Sequence, residues 1–342
     1  MFIAVSGTLS SGKSEVVRYL TFQGFLPVSI KASPSESCNS DAKNGLSSEH
    51  LNGNASYCNG TASSERKEFE TFDSLLEHVT ANWRSNFVLS HIDDSESLRA
   101  LQKRPFFLHL SIDAPLNLRY QRHLLKNGDK GLSRSDFIAQ SDDLLFNAAN
   151  PLIEINNQAH IKIVNTSSSL KDLYVKLSEL DLLNQERLRP TWDSYFMRLA
   201  DLAALRSNCM KRRVGCVIVK DNRVVATGYN GTPRNLTNCN EGGCPRCNNG
   251  HGSGAALSTC LCLHAEENAL LEAGRDRIAG ENSILYCNTC PCLTCSIKIV
   301  QSGIKQVVYA QSYSMDEHSH KVLSEARVVL RQFTPPKDGI FV

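Results

Sequence analysis

The stretch Cys260-Leu261-Cys262-Leu263-His264-Ala265-Glu266-Glu267-Asn268-Ala269-Leu270, followed by Ser283-Ile284-Leu285-Tyr286-Cys287 and by Cys290-Pro291-Cys292-Leu293-Thr294-Cys295, decides how the second half of the chain folds. His264 opens a run low in β-branched residues. Its apolar positions are Ala265, Ala269, Leu270 and Ala273, and Gly274 stops it, which is a helical pattern. Ser283 to Cys287 reads as a strand. Pro291 fits the first turn of a second helix, with Cys292 at its N-terminus and Gly303 as its cap. Gln306-Val307-Val308-Tyr309 is the next strand. Helix and strand alternating in this way predict layered α/β structure.

The same stretch carries chemistry. His264, Cys292 and Cys295 offer one imidazole and two thiolates, a donor set that zinc accepts. Three protein ligands leave one position for water, the mark of a catalytic site; a structural site fills all four. The positive end of a helix dipole favours thiolate at Cys292. Glu266, two residues past His264, is close enough to reach a water without being a ligand. Zinc lowers the pKa of a bound water to about 7. Glu266 would take that water's proton and hand it to a leaving amine. The competing reading is a structural zinc knuckle with Glu266 a solvated surface charge. Pro291, the upstream His-x-Glu and the intervening strand together weigh against it.

Working outward, Leu188-Arg189-Pro190 marks a boundary. Trp192 to Ser207 reads as an amphipathic helix. Val214 to Val219 and Val224 to Tyr229 read as paired strands, turned by Lys220-Asp221-Asn222-Arg223. With the elements above they make a three-layer α/β/α domain over 186–342. Cys209, Cys239, Cys244, Cys247, Cys260 and Cys262 crowd in or beside a loop-rich insert. Cys244-Pro245-Arg246-Cys247 has knuckle spacing, and His251 is near. A closed, all-thiolate zinc site is the better reading; buried free thiols are the alternative. Cys216 and Cys287 fall in strands and read as core. Cys290 is unassigned.

In the first half, Phe2-Ile3-Ala4-Val5 reads as a buried strand, Gly7-Thr8-Leu9-Ser10-Ser11-Gly12-Lys13-Ser14 follows, and Glu15 to Gln23 reads as a helix. This is Gly-x4-Gly-Lys-Ser in a strand–loop–helix setting. Gly7 and Gly12 let backbone amides turn toward a phosphate. Lys13 would reach the terminal phosphates, and Ser14 would ligate magnesium. Residues 33–65 shift to Ser, Asn, Gly and Glu and read as a disordered insertion, with Cys38 and Cys58 incidental within it. Further strands are expected at 86–89, 106–112 and 161–165, and helices at 69–81, 117–126 and 170–183. A parallel α/β sheet over 1–185 follows. A metal-holding carboxylate would close the strand at Leu89, but Ser90 and His91 stand there, with Asp93 and Asp94 later. Arg119 and Arg122 are candidate phosphate clamps, against the alternative of a solvated helix face.

The chain has 342 residues, room for two domains, and is 41% hydrophobic with a formal net charge of +2. That charge offers no bulk attraction for nucleic acid. No basic, apolar leader opens the chain and no apolar run is long enough to span a bilayer, so no membrane role is expected. The thirteen cysteines then point to metal in a reducing compartment, the cytoplasm or nucleus.

His-x-Glu followed by Pro-Cys-x-x-Cys resembles the zinc-deaminase signature. The resemblance extends through Arg206-Ser207, Arg213-Val214-Gly215, Gly228-Tyr229-Asn230-Gly231-Thr232-Pro233 and Gln301-Ser302-Gly303-Ile304. From Trp192 to Tyr313 the chain is similar to the deoxycytidylate deaminase family, most of all to fungal members with an N-terminal extension. The resemblance implies hydrolysis of dCMP to dUMP and ammonia, which feeds thymidylate synthesis. It implies catalytic zinc on His264, Cys292 and Cys295 with Glu266 as proton shuttle. It also implies Asn230 on the sugar and phosphate side of the nucleotide, with a tight-turn residue as the alternative, and Tyr313 near the phosphate. For the second zinc it implies Cys209, Cys239 and Cys262, the fourth ligand being Cys247, Cys244 or Cys260. Hexamers, activation by dCTP and inhibition by dTTP with magnesium are further implications. The first half resembles small P-loop kinases of the dephospho-coenzyme A kinase and nucleoside monophosphate kinase type, through the P-loop and Ser111-Ile112-Asp113-Ala114-Pro115. Rival readings are a deaminase acting on another nucleotide or on nucleic acid, a non-enzymatic nucleotide sensor, and a bifunctional kinase–deaminase.

Overall fold

The computed structural model describes residues 1–31, 66–252, 255–312, 317–337 and 339–341. The expected insertion, Cys38, Cys58 and Tyr313 lie outside the described residues. The chain forms two compact units, Met1–Leu188 with Lys337–Val342, and Arg189–Pro336.

The first unit runs β1 (Phe2–Gly7), α1 (Lys13–Phe22), β2 (Leu26–Ile30), β3 (Lys67–Phe69), α2 (Phe72–Ala81), β4 (Phe87–Leu89), α3 (Ser95–Gln102), β5 (Phe107–Asp113), α4 (Leu116–Asn127), α5 (Arg134–Phe146), α6 (Leu152–Asn157), β6 (Ile161–Val164) and α7 (Leu170–Glu179). Its sheet is wholly parallel; with β12 (Gly339–Phe341) from the chain's end, the order is β12-β6-β5-β1-β4-β2-β3. Alternate residues of β1 serve opposite faces. Ile3 and Val5 pack with Val16 and Leu20 of α1 and Leu173 and Leu177 of α7. Phe2 and Ala4 pack with Leu75 of α2, Leu98 of α3 and Ile155 of α6. Both faces are covered, as a parallel sheet requires.

One part of the expected division is corrected. The tail, assigned from sequence to the second domain, supplies β12 (Gly339–Phe341), which pairs in parallel with β6 of the first unit. Arg187 Nη1 donates to the Lys337 carbonyl at 2.9 Å just before it. A three-residue strand gives too short an apolar pattern to be read in sequence.

The second unit runs α8 (Trp192–Ala204), β7 (Gly215–Lys220), β8 (Arg223–Tyr229), α9 (Pro245–Asn248), α10 (Ala265–Ala273), α11 (Arg275–Ile278), β9 (Ser283–Thr289), α12 (Leu293–Ser302), β10 (Gln306–Gln311), α13 (Glu317–Glu325) and β11 (Val329–Gln332). The sheet order is β11-β10-β9-β7-β8. The β7–β8 and β7–β9 pairs are antiparallel; β9, β10 and β11 are parallel. Asp221 and Asn222 have φ of 50° and 58°, the left-handed pair a tight two-residue hairpin turn needs.

Cys216 and Ile218 face α10 and α12, while Val217 and Val219 face Phe196, Met197 and Ala200 of α8. This is the three-layer α/β/α arrangement, with Cys216 and Cys287 in the core as expected. Two glycines permit the layers to close. A Cβ on Gly215 would lie 1.9 Å from the Ala200 carbonyl oxygen, and one on Gly228 2.1 Å from that of Ala265. Both helices therefore lie directly on strand backbone.

Candidate active site

Three chain segments meet at one end of the second sheet. His264 is the N-cap of α10, and Ala265 and Glu266 form the helix's first turn. Cys292 is the N-cap of α12 and Cys295 lies in its first turn, so Pro291 sits just outside the helix rather than within its first turn. Both helices thus point their positive ends at the same place, where they favour thiolate and carboxylate. The third segment is the end of β8. Gly231 and Leu263 exchange backbone hydrogen bonds of 3.2 and 2.9 Å, which fixes Asn230 beside the residue preceding His264.

His264 Nδ1 lies 3.3 Å from Cys292 Sγ and 3.3 Å from Cys295 Sγ. One imidazole nitrogen and two sulfurs converging at about the edge length of a zinc tetrahedron fit a zinc ion. The contact with Cys295 pulls the Cys292 thiol down to about 3, and the contact with Cys292 lifts His264 to about 8. Two sulfurs and a ring nitrogen are thus already competing for protons that a divalent cation would displace. Glu266 is 3% exposed, and burial raises its carboxyl above the usual range. A buried acid whose proton affinity is raised by desolvation suits proton transfer. A solvated Glu266, the alternative reading from sequence, is excluded by that burial. Lys298 Nζ bridges α12 to Glu267 of α10 at 2.5 Å. Burial pushes Cys290 up to about 11, and it stands in none of the potential metal-holding groups among the described residues.

Asn230 is 8% exposed, and both ends of its amide are bonded. Oδ1 accepts from Ser207 Oγ at 2.7 Å and from the Val214 amide at 2.8 Å; Nδ2 donates to the Arg212 carbonyl at 2.8 Å. It locks the approach to β7 onto the end of β8, a role that no local pattern discloses. The remaining cysteines also gather. Cys209, Cys239, Cys247 and Cys262 form one potential metal-holding group, and Cys244, Cys247, Cys260 and Cys262 another. His251 belongs to neither group among the described residues.

The Gly7–Ser14 loop of the first unit connects β1 to α1. Gly12, the α1 N-cap, has φ of 112°, and a Cβ there would lie 2.7 Å from Asn165 Nδ2. Lys13 Nζ donates to the carbonyls of Gly7 at 2.6 Å and Thr8 at 3.0 Å. Burial lowers its pKa to about 8. Thr8 Oγ1 donates to Asp113 at 2.5 Å. The solvated-helix reading of the arginines is corrected here. Arg119 is 5% exposed and donates to the Ala114 carbonyl at 2.9 Å. Arg122 donates to the carbonyls of Ser11 at 3.2 Å and Ser167 at 2.9 Å. Both brace loops at the carboxyl end of the sheet. Asp94 caps α3, and His91 holds the Asp93 carboxyl below its usual range.

The family model described as the cytidine and deoxycytidylate deaminase zinc-binding region matches residues 190–311. A deoxycytidylate deaminase of Schizosaccharomyces pombe is 48% identical over 340 residues, 99% of each chain. One of Saccharomyces cerevisiae is 51% identical over 271 residues, 77% of this chain and 86% of the relative. Among solved structures, a dCMP deaminase from the cyanophage S-TIM5 is 29% identical, covers 42% of this chain and 99% of its own, and gives a TM-score of 0.34.

Proposed function

We propose a reaction on the premise that this chain belongs to the deoxycytidylate deaminase family: it is a zinc-dependent hydrolase that converts dCMP and water to dUMP and ammonia. The observation that carries it is the meeting of His264, Cys292 and Cys295 beside the buried Glu266.

His264, Cys292 and Cys295 would hold the ion, which would supply a water of lowered pKa as nucleophile at neutral pH. Glu266 accepts the proton of the water that attacks C4 of the cytosine ring. It passes that proton to N3, then takes the second proton from the hydroxyl now bonded to C4 and gives it to the departing amine, so that one carboxylate serves alternately as base and acid while C4 becomes a carbonyl. Burial excludes bulk water from this shuttle. The helix N-termini of α10 and α12 favour the thiolates and the negative charge carried by the attacking oxygen. Asn230 supports nucleotide binding by shaping the Arg212–Val214 edge and the β8 end; Tyr313 is assigned to the phosphate by family resemblance alone. Free nucleotide rather than polynucleotide is favoured by a net charge of only +2.

Ammonia release from dCMP, measured against cytidine, dCTP and single-stranded DNA, tests the assignment. Preference for single-stranded DNA, or no release from dCMP, would overturn it.

The Gly7–Ser14 loop supports a second, regulatory reading. Its backbone amides, Lys13 and the α1 N-terminus suit the phosphates of a nucleoside triphosphate, with magnesium on Ser14. Binding is proposed rather than phosphotransfer, because Ser90 and His91 follow β4 where a metal-holding carboxylate would stand. Effectors of the dCTP and dTTP type, and a hexamer, rest on the family resemblance. The clustered thiols support a structural zinc in the second unit, separate from the catalytic one.

A further inference from the structure

Six cysteines of the second unit, Cys209, Cys239, Cys244, Cys247, Cys260 and Cys262, pack as one cluster around α9. Their sulfurs form two tetrads, within each of which all sulfurs lie within 4.8 Å of one another. Cys247 and Cys262 belong to both tetrads. One zinc ion would use four of these sulfurs and strand the other two as thiols.

We propose that the cluster is a binuclear zinc centre: Cys209 and Cys239 hold one ion, Cys244 and Cys260 the other, and the thiolates of Cys247 and Cys262 bridge the two. This rests on the reading that these cysteines bind zinc at all.

A zinc–sulfur bond of about 2.3 Å gives a tetrahedron with edges of about 3.8 Å. The Cys209–Cys247 separation is 3.8 Å, an edge of the first tetrahedron. Cys244–Cys260 is 4.0 Å, an edge of the second. Cys247–Cys262 is 3.9 Å, the edge the two would share. None is near the roughly 2.0 Å of a disulfide, and all six thiols are free.

The charge also balances. Four thiolates around one divalent ion carry a formal charge of two minus, and six thiolates around two such ions carry the same. The second ion therefore adds no net charge to a cluster in which Cys239, Cys244 and Cys247 are buried. Each thiol gives its proton to solvent, and both ions remain divalent, so no oxidant or reductant enters.

The hydrogen bonds follow the same division. The Met210 amide donates to Cys239 at 3.4 Å, the Leu261 amide to Cys244 at 3.4 Å, and Arg246 Nη1 to Cys260 at 3.8 Å. All three receiving sulfurs are outside the shared pair. A thiolate bound to one metal keeps lone pairs for such donors; a bridging thiolate spends more of them on metal.

Zinc content of the purified full chain, after exhaustive dialysis against metal-free buffer, tests the assignment. Three ions per chain are expected, and two in Cys292→Ser, which disables the catalytic site. Two ions falling to one would overturn the binuclear centre and leave a single structural zinc. One ion falling to none would overturn the thiolate site altogether. Exchange of zinc for cadmium-113 gives a readout independent of loading. Two all-thiolate resonances split by mutual coupling are expected; unsplit resonances would overturn the bridge.

Discussion

At the scale of single residues, Glu266 and Asp193 separate two ways a carboxylate is used. Glu266 is buried, among the described residues it forms no ion pair with an arginine or lysine, and its proton affinity is raised, which suits transfer. Glu266→Ala should lower kcat by at least about 10²–10⁴-fold with zinc content unchanged; loss of zinc alongside activity would make Glu266 a ligand instead. Asp193 is structural. It accepts from Tyr286 Oη at 2.9 Å and Arg331 Nη2 at 3.0 Å, and the arginine holds its carboxyl below the usual range. A lowered folded pKa contributes stability that is complete above the unfolded value of about 3.9 and lost as pH falls through the folded one. Asp193→Asn should cost about 1 kcal/mol at pH 7 and less at pH 3. Urea unfolding at both pH values checks this, and an equal cost at both would remove the ionic contribution. The grouping of His264, Cys292 and Cys295 near Glu266 was legible in sequence because their spacing is chemical. The bonding of Asn230 and the burial of Arg119 were not, because both depend on carbonyls far along the chain.

At the scale of elements, the catalytic helices are held by backbone contact. Gly228 leaves no room for a Cβ between β8 and α10. Gly228→Ala should therefore push α10 outward, move His264 and Glu266 together, and cost about 3 kcal/mol. Thermal melting and zinc affinity should both fall; unchanged melting would mean that the layers can part cheaply. The helices and strands around the site could be read from period and caps. Elements missed in the sequence explain themselves physically. Strand β2 contains Pro27, which argues against a strand in sequence although Leu26, Val28 and Ile30 alternate. Helix α5 buries only Phe137 and Ser141, so it lacks an apolar stripe. The first unit's sheet was visible through β1, β4, β5 and β6, whose residues are largely buried.

At the scale of the whole molecule, each unit carries its own chemistry and its own test. Lys13→Ala should weaken nucleoside triphosphate binding by at least tenfold while dCMP deamination without effector persists; unchanged affinity would end the regulatory reading. The tail is the other test. Removing residues 337–342 exposes the β6 edge and deletes the acceptor of Arg187 Nη1. The first unit should then melt several degrees lower, with the catalytic zinc retained. Unchanged melting would mean that β12 is dispensable.

Strand β12 has a consequence for the order in which the protein is made. The ribosome delivers β1 early, yet the strand that completes its sheet is polymerised after the entire second unit. Until then the nascent sheet presents an open margin at β6. An unpaired edge of that kind is a template to which a strand of another chain can add.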